Sequence, residues 1–147
     1  MRDCAVAIAL RIPDNAAYTA LVTLRRLGVD VARVERSEVW HLEDGGDAHT
    51  LPARVRANET IFNPNKHRIA VLERPMPRAG EAWIDEVDKH DEVREHLGGK
   101  GIDGVARARR YVGWRLFDAS GAAVTRDVLG QAVERLLCNP AIEKAIY

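Results

Sequence analysis

Residues 124–147, VTRDVLGQAVERLLCNPAIEKAIY, form a helix-to-strand unit whose helix is punctuated at both ends. Thr125 is a natural N-cap, because its hydroxyl can accept a bond from an orphaned first-turn N–H, and Val124 with Leu129 can close a hydrophobic staple around it. Val128, Leu129, Ala132, Val133, Leu136 and Leu137 recur at the spacing that collects apolar side chains on one helical face, so both leucines are expected in the core. Asn139 tolerates the left-handed backbone that ends helices, and Pro140 forbids continuation. Residues 141–147 then have the length and composition of a short final strand.

Working upstream, residues 105–118 alternate as a strand. Ala106, Ala108, Val112, Trp114 and Leu116 make an apolar face, and Arg107, Arg109, Tyr111 and Arg115 make a basic one opposite it. Asp118-Ala119-Ser120-Gly121 turns this strand into the last helix. At the other end of the chain, residues 4–12 are nearly continuous apolar sequence and read as a buried first strand. Pro13 stops it, and Asp14 or Asn15 caps a helix that carries Ala17, Leu21, Leu24 and Leu27 and ends at Gly28. Residues 31–43 form a second strand, with Ala32, Val34, Trp40 and Leu42 at even positions and Val39 breaking the alternation.

Between these ends the signals are weaker. Residues 44–65 hold strong turn punctuation at Gly45-Gly46 and Asn63-Pro64 and no surviving period, so they read as a long loop. Residues 66–74 read as a third strand that buries Ile69, Ala70, Val71 and Leu72. Residues 81–97 are helical by composition, as one bent helix or two short ones, with Trp83, Ile84, Val87, Val93 and Leu97 apolar, and Gly98, Gly99, Gly101 and Gly104 make a hinge after them. The resulting order is β-α-β-β-α-β-α-β. It defines an α+β fold of ferredoxin-like type, a two-layer sandwich with helices on one face of an antiparallel sheet. The open sheet edges of such a fold predict a homo-oligomer that uses the strand at 105–117 or the terminal strand.

Composition excludes several functions. The 147 residues include 22 basic and 22 acidic side chains, a net charge of zero that argues against nonspecific nucleic-acid binding. No apolar run approaches the roughly 20 residues that span a bilayer, and the first ten residues lack a secretory pattern. Cys4 and Cys138 make no disulfide framework and read as reduced thiols, which points to a cytoplasmic protein that binds neither nucleic acid nor membrane.

Two stretches resemble a known family. Leu136-Leu137-Cys138-Asn139-Pro140-Ala141-Ile142-Glu143 is similar to the closing motif of the PurS family, the small subunit of phosphoribosylformylglycinamidine synthase. Residues 20–28, ALVTLRRLG, with residues 31–43, VARVERSEVWHLE, are similar to that family's first helix and second strand. The resemblance implies a PurS-like α/β sandwich and a non-catalytic subunit in purine biosynthesis. Such a subunit bridges the synthetase and glutaminase components of an ATP- and glutamine-dependent, amidine-forming ligase. The family is shorter, and Pro13-Asp14-Asn15-Ala16 stands where it has an Asp-Pro-Gln-Gly-like stretch. Residues 44–104 are then either an insertion into one PurS-like domain, residues 1–147, or part of two small halves joined near 98–104.

The residues themselves assemble no catalytic group, metal site or cofactor site. His90 and His96 are six apart, off the four-residue spacing of zinc-binding helices, and a metal would need His41 or His49 from elsewhere; His67 completes the set. The acids Asp85, Glu86, Asp88, Asp91, Glu92 and Glu95 read as a solvated helix face, and GGKGIDG at 98–104 lacks the ending of a phosphate loop. Ser37 and Ser120 lie in no nucleophile-elbow context. The candidate site is therefore the basic strand face of Arg107, Arg109, Tyr111 and Arg115, where guanidinium planes can clamp an anion or dock an acidic partner. The corner Asn63-Pro64-Asn65-Lys66-His67 is a second candidate contact. Two functions follow: the PurS-like bridging subunit, or a stand-alone ferredoxin-like ligand-binding or regulatory module that uses the arginine face or the 44–65 loop.

Overall fold

A computed structural model describes residues 2–44, 50–59, 61–86 and 105–147. The strands are β1 (Arg2–Leu10), β2 (Arg33–Asp44), β3 (His67–Val71), β4 (Glu81–Glu86), β5 (Val105–Phe117) and β6 (Glu143–Ile146). The helices are α1 (Asn15–Arg26), α2 (Leu51–Arg56) and α3 (Arg126–Ala132), the last running on into a π-helical turn, Val133–Leu137. The fold is α+β, with a six-stranded sheet in the order β3-β1-β2-β5-β4-β6. Its β1–β2, β1–β3, β4–β5 and β4–β6 ladders are antiparallel. Some expectations lie outside the described residues: the Gly45-Gly46 turn, the second half of the helix expected over 81–97 with most of its acids, and the glycine hinge at 98–104. The side chain of Ala106 lies outside them as well. The chain divides into two compact units.

The first unit comprises Met1–Ile12, Glu38–Met76 and Asp88–Tyr111. Here β1 pairs with β2 from Arg2↔Asp44 to Ile8↔Glu38, and with β3 from Val6↔Val71 to Leu10↔His67. Ala5, Val6, Ala7 and Ile8 are all buried, as the continuous apolar run predicted. The core gathers Val6, Ile8, Trp40 and Leu42 from alternate strand positions, under Leu51 and Val55 of α2 and with Ile61 and Phe62 of the following turn. Helix α2 corrects the long structureless loop expected at 44–65. It is one short helix whose two buried residues sit four apart, with Pro52 in its first turn, and so small an element leaves no period in the sequence. Strand β3 corrects a second expectation. Leu72 is buried, but Ala70 and Val71 are exposed, because β3 ends the sheet order and an edge strand covers only part of itself.

The second unit comprises Pro13–Ser37, Pro77–Val87 and Val112–Tyr147. Asp14 caps α1 as the sequence predicted, its carboxylate accepting from the N–H groups of Ala16 at 2.9 Å and Ala17 at 3.2 Å. Gly28 takes the positive φ, 82°, that ends this helix. The carbonyl of Leu27 is claimed by Arg135 Nη1 at 2.7 Å, which fixes the end of α1 to the π-helical turn. The apolar faces of the two helices, Ala17, Ala20 and Leu24 with Leu129, Ala132, Val133 and Leu137, lie on Val34, Ala82, Ile84 and Leu116 of the strands.

Residues 81–86 are strand β4, which overturns the helix expected there. The strand runs between β5 and β6, from Glu81↔Arg115 to Ile84↔Val112 on one side and from Trp83↔Ile146 to Glu86↔Glu143 on the other. Glu81, Ala82, Trp83 and Ile84 are buried in succession. An inner strand buried on both faces shows a continuous apolar run, and by pattern such a run cannot be told from a buried helix. The strand begins at a tight corner. Gly80 has φ 70°, and a Cβ there would meet the Leu116 carbonyl oxygen at 2.8 Å. Glu81 is only 1% exposed and is the one buried charged residue among the described residues. Its Oε2 accepts from Arg78 Nη2 at 2.7 Å, while its Oε1 accepts from Arg78 Nε at 3.2 Å and from the Arg78 backbone N–H at 2.9 Å. Beyond β5, the Asp118 carboxylate closes the next turn by accepting from the Ser120 hydroxyl and the N–H groups of Ser120 and Ala122. Chiefly through the Ser120 hydroxyl, these bonds hold its pKa below the ordinary carboxylate value.

Thr125 caps α3, accepting from the Val128 N–H at 3.3 Å. The pair of leucines does not behave as the spacing predicted: Leu137 is 8% exposed, but Leu136 is 38% exposed. At about 100° per residue an α-helix would put Leu136 near the middle of the stripe through Leu129, Ala132 and Val133. The chain instead closes with a bond from the Cys138 N–H to the Val133 carbonyl, five residues back. The wider π turn brings Leu137 into the stripe and leaves Leu136 at its edge.

Two outcomes test this packing. Leu137→Ala is expected to cost about 2–5 kcal/mol in urea unfolding, and Leu136→Ala about 0.5 kcal/mol or less. Gly80→Ala combines a left-handed backbone with a blocked Cβ position and is expected to cost about 2–4 kcal/mol, read as a lower midpoint at unchanged slope.

Candidate functional site

The strand expected to carry the site is present as β5, but its four residues are not equivalent. Arg107, Arg109 and Tyr111 belong to the first unit and Arg115 to the second. Tyr111 is 3% exposed, so it is no part of an open face. Odd positions Tyr111, Gly113 and Phe117 are buried alongside even positions Ala108 and Leu116, because an inner strand is covered on both sides and alternation alone does not separate core from surface.

Of the candidate residues in the first unit, Arg107 is the exposed one. Its side chain is 60% exposed, and its guanidinium stands 4.0 Å from Glu43 Oε1, at the limit of an ion pair. Arg109 is half-buried. Arg110, which is not among the four candidate residues, is better held. Its Nη1 lies 3.7 Å from Glu38 Oε1, and its guanidinium covers the Trp40 ring at 5.7 Å. Guanidinium over indole combines packing of the side-chain stem with attraction to the ring face.

The second unit repeats this arrangement. Arg33 covers Phe117 at 3.9 Å and pairs with Glu35, and Arg115 approaches the same ring at 5.1 Å. Arg36 stands 5.8 Å from the Trp114 ring and 3.6 Å from Asp14 Oδ2. The signal for these residues is the recurrence of Arg beside strand aromatics, and it emerges only once strand neighbours are known. The arrangement presents planar cations whose stems are already ordered, so little side-chain entropy is lost when a carboxylate or phosphate docks.

The corner at 63–67 is occupied with itself. Asn63 N–H donates to His67 Nδ1 at 3.0 Å, Asn63 Oδ1 accepts from the Asn65 N–H at 2.9 Å, and Arg11 Nε donates to the Pro64 carbonyl at 2.7 Å. It is a satisfied turn that leads into β3. Cys138 is half-buried, and burial, helped by the charge of Glu143, pushes its thiol pKa up, away from the reactive thiolate. His49, His90 and His96 lie outside the described residues. His41 lies beside Asp3 and Glu43, and the three form the one group of potential metal ligands among the described residues. No described helix is long and apolar enough to cross a membrane.

No protein-family model matches this chain, and no curated protein matches it.

Truncating the aromatic-bound arginine should register in stability more than truncating the open one. Arg110→Ala is expected to cost about 1 kcal/mol in urea unfolding, and Arg107→Ala about 0.5 kcal/mol or less.

Proposed function

We propose that this chain is a non-catalytic, PurS-like subunit that bridges the synthetase and glutaminase components of phosphoribosylformylglycinamidine synthase. The observation that carries this reading is the Asn139–Glu143 corner, where the residues of the closing motif are bonded to one another. The Asn139 N–H donates to Glu143 Oε1 at 2.8 Å, and the Asn139 carbonyl accepts from the Ile142 and Glu143 N–H groups. Asn139 Oδ1 accepts from the Ala141 N–H at 3.1 Å. In this chain, Asn-Pro followed by Ile-Glu is thus a device for leaving a helix and entering β6, and it gives the motif a physical reason to occur as a unit. The second matching stretch falls on α1 and β2, again an element boundary fixed by a cap and a glycine.

In this reading the chain supplies surface rather than chemistry, and the arginine–aromatic positions are the docking cations. Arginine and tryptophan are enriched where proteins meet, and an arginine already packed on a ring binds an acidic partner at reduced entropic cost. The edge strands β3 and β6 offer the self-association that the fold class calls for.

Reconstitution tests the proposal. Mixed with the two larger synthase components, the purified chain is expected to co-elute with them and to support glutamine-dependent amidine formation, while showing no turnover alone. Arg110→Glu is expected to weaken the complex at least tenfold with the circular dichroism spectrum unchanged. Failure of the wild-type chain to associate with either component, or hydrolysis of glutamine or ATP by the chain unaided, would sink the reading.

A further inference from the structure

We propose that Asp3, His41 and Glu43 form a surface site for a divalent first-row transition metal ion. The three side chains converge because of strand register. Asp3 of β1 lies directly opposite Glu43 of β2, and His41, two residues before Glu43, shares its face of the strand. One ligand atom from each residue lies within 4.8 Å of the other two, and His41 Nε2 is 2.9 Å from Asp3 Oδ2. Metal bonds of about 2.0–2.2 Å set ligand atoms roughly 3–3.5 Å apart, so the His41–Asp3 pair is already close to the span of one edge of a coordination polyhedron.

The platform beneath the site is rigid. Leu42, between the two β2 ligands, is fully buried in the core of the first unit, and Cys4, the neighbour of Asp3, packs against the same core. The ligand-bearing backbone is therefore fixed before any ion arrives, which limits the entropy lost on binding. Two carboxylates match the charge of a divalent ion, and Arg107, 4.0 Å from Glu43, is a distant and largely exposed competitor. One imidazole nitrogen with two carboxylate oxygens suits Zn²⁺, Mn²⁺ or Fe²⁺ better than Ca²⁺, which takes oxygen ligands, or Cu(I), which prefers sulfur. With three protein ligands, a tetrahedral ion keeps its fourth position for solvent or for a donor from a partner.

Titration of the full chain with Zn²⁺ by calorimetry, paired with Co²⁺ absorption, tests this site. The wild type is expected to bind one ion saturably, with a Co²⁺ spectrum free of thiolate charge-transfer bands. His41→Ala and Glu43→Gln are each expected to weaken binding at least tenfold while the circular dichroism spectrum is unchanged, and Cys138→Ser is expected to leave it intact. Glu43→Gln preserves shape and decides the matter if His41→Ala does not fold. Absence of saturable Zn²⁺ binding, binding that survives Glu43→Gln, or a thiolate signature with Co²⁺ would overturn the site.

Discussion

The bidentate contact between Arg78 and the buried Glu81 carboxylate is the constraint on which the second unit depends. A carboxylate taken out of water costs several kcal/mol unless its oxygens are satisfied, and here a guanidinium and a backbone N–H meet both of them. The partners are three residues apart, so the contact forces the chain through a tight turn, and only a glycine fits the backbone at its tip. That turn sets the first residue of β4. Once Glu81 is fixed opposite Arg115, the register of the whole strand follows, and the alternation of Ala82 and Ile84 toward the helices with Trp83 away from them follows from register. Removing Arg78 would leave a charge buried without its counter-ion, a larger penalty than the pair contributes when whole.

Much of the architecture was written in local chemistry. Asp14, Gly28, Thr125 and Pro140 mark element ends because each residue type does something at a terminus that few others do, and such effects need no tertiary context. Strands β1, β2 and β5 were legible for the same reason, their patterns being long enough to count. What failed was short or depended on neighbours. The turn of α2 offers two apolar contacts and no period. In β4, AWI reads equally well as helix or strand until β5 and β6 are seen to flank it. Leu136 lost its place through a change of helical pitch that no side chain announces.

The candidate site shows the same division. Arginines at alternate positions of β5 were visible, but two contacts of arginine with an aromatic ring cross between strands: Arg110 of β5 on Trp40 of β2, and Arg33 of β2 on Phe117 of β5. Tyr111, read as part of the basic face, is core, while Arg110, which the alternation did not single out, rests on an aromatic ring. Likewise no sequence spacing links Asp3 to His41. Only the antiparallel register brings the two into contact.

Each compact unit draws on three separated stretches of the chain, and the stretches interleave. Neither unit can therefore be excised by trimming an end, and the second cannot condense early, since residues 13–37 wait for partners from beyond 111. Loop closure over such spans is entropically slow, which gives the chain a high contact order for its size. The continuous apolar run of β1 stays uncovered until β2 and β3 supply its partners, so a growing chain of this design exposes an aggregation-prone segment while those strands are made.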